Sequence, residues 1–335
     1  MSEDGKPHPP LRPGVYAAMV TLFDPVTEDL DIPTIRVHAV RLAQAGLVGL
    51  VALGSCGEAV HLTGEERKTV IRETRLALDE AGYQDVPIIV GASEQSVRGT
   101  VQLCRESKDA FGDYVLVTPP SYYRSTVGTE ESLYGFFTSV ADESPLPVIL
   151  YNYPHAVAGI DMDSDLIIRI SQHPNIVGVK FTCGDTGKLT RVAEALNAIT
   201  PPNPFTRTPN ATESHPYVAF GGKVDFALQT LVSGGSAVIA GSANVIPRTC
   251  VHLFHLWSSG RIDEAMKLQK ILSEADWVLS KGVVPRAKYA MQLSYGYGGY
   301  AREPLKRLSE ESSKVVTEGI EEVMKIELSW LDDHT

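Results

Sequence analysis

The chain has 335 residues, is 43% hydrophobic and carries a formal net charge of -11. That suffices for one large core, and α/β barrels of about 250 residues often fold as a single domain. The negative charge disfavours nucleic acid, whose phosphates need a positive surface, and no apolar run reaches the roughly 18 residues of a membrane span.

Residues 1–12 are polar and proline-rich, with Glu3 and Asp4 among the first four. They lack the apolar core of a signal peptide and the Arg-rich, acid-poor character of a transit peptide. A flexible arm on a cytoplasmic protein is expected. Val15–Leu22 reads as a first strand and Pro33–Ala45 as a helix with proline in its first turn. Leu47–Leu53 is a continuous apolar run, as expected of a strand buried on both faces. Thr63 begins a capping-box pattern, Thr63-Gly64-Glu65-Glu66, that opens a helix to about Glu80. A strand at Val86–Val90 and a helix from Ser93 to Ser107 follow. Next come a strand at Tyr114–Val117, a helix at Thr129–Val140 and a strand at Pro147–Tyr151. Ser164–Ser171 is helical, Ile176–Phe181 a strand and Leu189–Ile199 a helix. Pro201–Pro216, with five prolines, reads as a loop. Its Asn210-Ala211-Thr212 matches a glycosylation sequon, which is read as chance in a chain without a secretory signal. Tyr217–Phe220 and Ala237–Ala240 are the last strands, with a short helix at Phe226–Val232 between them. Beyond Pro247 the pattern is helical only: Arg248–Ser258, Ile262–Ser280, Pro285–Leu293 and Pro304–Met324.

Eight strands, most followed by a helix, predict a closed parallel (β/α)8 TIM barrel, with a doubly wound sheet as the alternative. No G-x-G-x-x-G turn follows the first strand, so a dinucleotide fold has no support. The expected division is an arm at 1–12, a barrel at 13–258 and a C-terminal helical appendage at 259–335.

Barrel enzymes act at the C-terminal ends of their strands. Strand six ends at Lys180. Desolvating an ammonium is unfavourable, so a lysine in an apolar strand is expected to favour its neutral amine, which attacks ketones to form imines. The other reading is a lysine that leaves the strand end for solvent or a carboxylate. Tyr151 stands where strand five meets its loop and suits the proton shuttle that imine chemistry needs; otherwise it caps the barrel rim. Gly54-Ser55-Cys56-Gly57, after strand two, can converge backbone N–H groups on a carboxylate, with the Ser55 hydroxyl added, or can be a plain tight turn. No histidine lies near Cys56 to activate it, so a packing or hydrogen-bonding role is preferred, and Glu58 is read as pinning the turn. The cysteines Cys56, Cys104, Cys183 and Cys250 show no paired spacing, which favours free thiols over disulfides or zinc. His61, His252 and His255 form no cluster with carboxylates, so no metal is expected.

Taken together these segments resemble the dihydrodipicolinate synthase and N-acetylneuraminate lyase family of class I pyruvate aldolases. The likeness spans roughly residues 11 to 325. Gly54-Ser55-Cys56-Gly57-Glu58 is similar to the family's carboxylate loop, and Tyr151-Asn152-Tyr153-Pro154 to its tyrosine motif. Val177-Gly178-Val179-Lys180 is similar to its lysine strand, and Ala243-Asn244-Val245 to a segment after the last strand. The resemblance implies that Lys180 forms the pyruvate imine, with no other cofactor, and that Tyr151 relays protons. It implies that Ser55 and the Cys56 backbone bind the pyruvyl carboxylate, with the backbone near Ile239 lining the pocket. A second tyrosine from the strand-four loop, Tyr122 with Tyr123 in reserve, would reach into a neighbouring subunit of a homotetramer built as a dimer of dimers.

Departures from the family pattern bear on the substrate. Dihydrodipicolinate synthases carry an arginine just after the tyrosine motif; here the stretch is His155-Ala156-Val157-Ala158-Gly159. Without that bidentate clamp, condensation with aspartate semialdehyde is not favoured. Thr182 stands where the lyase branch meets substrate hydroxyls. Ser171–Gly178 resembles the 4-hydroxy-2-oxoglutarate aldolases. Gly159–Asp163 and Thr182–Asp185 resemble fungal 2-keto-3-deoxy sugar-acid aldolases. The expectation is cleavage of a 4-hydroxy-2-oxo acid to pyruvate and an aldehyde. The alternatives are an authentic dihydrodipicolinate synthase and a catalytically silent barrel that binds 2-oxo acids.

Overall fold

Short aliphatic runs flanked by turn residues form eight strands that pair in parallel and close on themselves. They are β1 (Gly14–Ala18), β2 (Gly49–Ala52), β3 (Ile88–Gly91), β4 (Tyr114–Val117), β5 (Val148–Asn152), β6 (Ile176–Phe181), β7 (Val218–Gly221) and β8 (Ala237–Ala240). β1 bonds to both β2 and β8, so the barrel has no free edge. The computed structural model describes residues 8–202 and 216–332. The Asn210 sequon, most of the loop around it and the first seven residues of the expected arm lie outside the described residues.

The helices between strands are α1 (Ile32–Gln44), α2 (Gly64–Glu80), α3 (Val97–Asp109), α4 (Arg124–Val127), α5 (Glu130–Glu143), α6 (Ser164–Ile170), α7 (Thr186–Ala195) and α8 (Ala227–Val232). After β8 come α9 (Pro247–Ser258), α10 (Ile262–Ser280), α11 (Val284–Tyr295) and α12 (Glu310–Asp332). Their starts follow local chemistry. Thr63 and Glu66 form the expected reciprocal capping box on α2, and Asp31, Ser96, Thr129, Asp163 and Asp185 each cap a helix through a side-chain oxygen. The expected helix at Pro304–Met324 is displaced: α12 starts at Glu310. Arg302 anchors the segment before it as a loop, bonding the Glu28 and His61 carbonyls and Glu66, while Glu58 accepts from the Arg302 backbone N–H. The short helix α4 in the strand-four loop was not foreseen; four residues are too few to show a helical period.

Strand side chains alternate between two environments. Val115, Val117, Leu150, Val179 and Phe181 face outward into the helices. Tyr16, Val51, Ile89, Leu116, Tyr151, Phe220 and Ile239 fill the interior. The β5–β6 register shifts at Val148/Ile149, where Ile176 and then Gly178 are successive partners. Beyond that irregularity Tyr151 and Lys180 are direct partners, and Val179 and Phe181 point outward on either side of the lysine. α10 packs against α12, α9 and the turn at Val224–Phe226, which holds the helical appendage over the β7–β8 side of the barrel mouth.

Candidate active site

Lys180 and Tyr151 are each 4% exposed at the C-terminal end of the barrel. The Lys180 Nζ lies 4.2 Å from the centroid of the Tyr151 ring. Tyr153 stacks on Tyr151 at 5.6 Å and an interplanar angle of 17°. Burial pushes the Tyr153 phenol above its usual range. The solvent-directed alternative for Lys180 is therefore not what the fold adopts. The amine points into a cavity shared with Ser55, Cys56, Tyr151 and Thr182.

The loop after β2 is shaped by close backbone approaches. Leu53 has φ 57° and Glu58 φ 53°, both in the left-handed region. A Cβ on Gly91 would meet the Leu53 carbonyl oxygen at 1.9 Å, and one on Gly57 would meet the Leu53 nitrogen at 2.9 Å. Only glycine permits this fold of the loop. Glu58 is fully buried and paired with Lys288 of α11 at 2.7 Å, and also accepts from the Arg302 N–H at 2.9 Å. Its role as a pin extends to the C-terminal helices, which the motif alone did not reveal. The loop presents Ser55 and Cys56 to the cavity. Burial raises the Cys56 thiol, with Lys180 opposing the rise, so this sulfur is disfavoured as a thiolate nucleophile.

On the far wall, Asn152 holds the following loop by donating to Asp161 at 2.7 Å and accepting from the Met162 N–H at 3.1 Å. Thr182 is buried, and its Oγ1 has no hydrogen-bond partner among the described residues. Ile239 lies in the interior layer with Tyr151; at the end of β8, Gly241 and Ser242 form the cavity wall instead of Ile239 itself. Tyr122 and Tyr123 do not line this cavity. They stand 80% and 69% exposed, packed edge to face at 5.0 Å, on a loop whose Ser121 and Tyr122 N–H groups donate to Gln95.

Sequence reasoning missed three contributors: Lys223 after β7, Ser242 after β8 and Asp276 of α10. Ser242 Oγ donates to Asp276 Oδ1 at 2.6 Å. Burial raises the Asp276 carboxyl to about 6. A signal was present, since Asp276 falls on the apolar stripe of α10 with Leu268, Leu272, Ala275 and Leu279. Among the described residues, no group of three or more His, Cys, Asp or Glu side chains is arranged to hold a metal ion. No helix there is long and apolar enough to cross a membrane.

A sequence model of the dihydrodipicolinate synthetase family matches residues 12–323. An L-threo-3-deoxy-hexylosonate aldolase of Aspergillus niger is 65% identical over 97% of this chain and 99% of its own length. A relative from Emericella nidulans, described as a mitochondrial 4-hydroxy-2-oxoglutarate aldolase, is 45% identical over 95% of this chain and 97% of its own. The crystal structure of a dihydrodipicolinate synthase family protein from Coccidioides immitis superimposes with a TM-score of 0.81. It is 33% identical and covers 96% of this chain and 98% of that one.

Proposed function

The chain belongs to the dihydrodipicolinate synthetase family, and from that premise we propose a class I aldolase that cleaves a 4-hydroxy-2-oxo acid to pyruvate and an aldehyde. The observation that carries this is the inward-facing Lys180, in register with Tyr151 at the mouth of a closed barrel. Full-length relatives that are named aldolases, and the missing arginine after Pro154, support this reading over a dihydrodipicolinate synthase.

The neutral amine of Lys180 attacks C2 of the 2-oxo acid. Tyr151 gives a proton to the departing hydroxyl, and loss of water leaves a protonated imine. That cation is the electron sink. As the 4-hydroxyl passes its proton to the Tyr151 phenolate, C3–C4 breaks, the aldehyde leaves and the bonding pair passes into an enamine. The enamine takes a proton from Tyr151 at C3, and water, giving a proton back to the phenolate, adds at C2 to release pyruvate and regenerate the amine. Ser55 and the Cys56 backbone hold the pyruvyl carboxylate, and Thr182 meets a hydroxyl of the aldehyde half. Every covalent intermediate is carried on the Lys180 nitrogen, and the reading requires no metal or separate cofactor.

The exposed pair Tyr122 and Tyr123 suits a residue that completes a neighbouring subunit's site, and a homotetramer in the cytoplasm belongs to the same proposal. The test is reductive trapping. Borohydride with pyruvate should add one reduced pyruvyl mass on Lys180, and Lys180→Ala should abolish both the adduct and cleavage. An unmodified Lys180 in fully active enzyme overturns the reading.

A further inference from the structure

Asp276 reaches the cavity from α10, outside the barrel, and its position is unusual for an acid. It is 3% exposed, on a stripe otherwise occupied by Leu268, Leu272, Ala275 and Leu279. A carboxyl so placed is unfavourable unless its oxygens are bonded. One oxygen is held, because Oδ1 accepts from Ser242 at 2.6 Å. Oδ2 is buried without a well-formed hydrogen bond, although the Asp225 backbone N–H lies near the carboxyl. Lys223, on the loop after β7, also lines the cavity and draws the Asp276 carboxyl down, without an ion pair to it among the described residues. Among the described residues, Thr182 Oγ1 is a second buried side-chain atom of this cavity without a hydrogen-bond partner. Two buried polar side chains with spare hydrogen-bonding capacity therefore line the same cavity as Lys180.

A cavity wall with unused acceptors and donors fits a hydroxyl, which can give and take a hydrogen bond at once. It fits a second carboxylate poorly. Both would be acceptors once Asp276 ionises, so neither could donate to the other; Lys223 opposes the local negative charge and Asp225 adds to it. We propose that Asp276 is a specificity-determining residue. Its free oxygen bonds a hydroxyl on the aldehyde half and selects a polyhydroxylated 2-oxo acid over one ending in a second carboxylate. The proposal rests on the aldolase reading and deepens it: the appendage, through α10, supplies part of the substrate site.

The test compares kcat/KM for pyruvate release from a six-carbon 2-keto-3-deoxy sugar acid and from 4-hydroxy-2-oxoglutarate. In the wild type the ratio should favour the sugar acid. Asp276→Ala should lower that ratio at least tenfold, mainly through KM for the sugar acid, and Asp276→Asn, which keeps a polar amide, should restore most of it. Borohydride trapping of pyruvate on Lys180 reports that each variant is folded. An unchanged ratio in a variant that still traps pyruvate overturns the proposal, as does an equal loss on both acids. Should Asp276→Ala fail to trap, the structure of the wild-type protein with borohydride-reduced sugar acid decides. A hydroxyl within hydrogen-bond distance of Asp276 supports the assignment, and none within 4 Å of it overturns it. A wild type that cleaves neither acid and leaves Lys180 unmodified takes down the aldolase reading as well, a result distinct from an unchanged ratio.

Discussion

Among the described residues Lys180 makes no ion pair, and its Nζ lies 4.2 Å from the centroid of the Tyr151 ring. The chemistry asked of Tyr151 is a short proton transfer, and the fold supplies a rigid place for it through the Tyr153 stack. General acid–base groups contribute about 10²- to 10⁴-fold. Tyr151→Phe keeps the ring that packs against the amine and removes only the hydroxyl. We expect kcat to fall by about two to four orders of magnitude with a far smaller change in KM, and pyruvate trapping on Lys180 to slow without vanishing. Steady-state kinetics and timed borohydride quenching check this. A kcat within twofold of the wild type would move the proton relay to another group.

The β2 loop illustrates the next scale. Its glycines allow the chain to turn under Leu53, but its position is set from outside by α11. The Glu58–Lys288 pair is completely buried, and the Lys288 amine also donates to the Tyr300 carbonyl at 2.9 Å. Burial lowers Lys288 to about 8, with Glu58 pulling the other way. Removing one partner of such a pair leaves an uncompensated buried charge, which destabilises by about 3–5 kcal/mol. Lys288→Met should therefore lower Tm by several degrees and raise KM for pyruvate-forming substrates, because the loop proposed to hold the carboxylate loses its anchor. Thermal melts and kinetics read the two effects separately. A stable variant with unaltered KM would show that the loop holds its shape without α11.

Across the whole molecule, the segment between α11 and α12 ties the appendage to the barrel through Arg302. Its guanidinium holds Glu66, at the start of α2, down to about 2. A carboxyl lowered in the folded state contributes stability above its usual value of 4.5, and that contribution is lost as pH falls from there toward 2. Glu66→Gln should thus flatten the acid side of the stability profile, with denaturant midpoints lying below the wild type at pH 6 and converging on it only near pH 2. The barrel that these ties embrace was legible in the residues, because eight apolar runs alternating with capped helices admit few other closed arrangements. Lys180 and Tyr151 were legible for the same reason: a strand period tells which end, and nearly which face, a side chain occupies. The anchoring of residues 301–309, and hence the true start of α12, was not, because it depends on Glu28, His61 and Glu66, more than two hundred residues away. Lys288 was hidden likewise, on a helix whose buried face meets the barrel only after the chain has closed, and the place of Asp276 on the α10 stripe signals burial but not its partner Ser242. Local pattern by itself determined the strands, the caps and the place of Lys180 at a strand end, since those follow from periodicity and short-range hydrogen bonding; that its amine turns inward was decided by the closed barrel. Which distant acid and amine complete the mouth of the barrel was decided only by the tertiary packing, since contacts between remote segments leave no period to read.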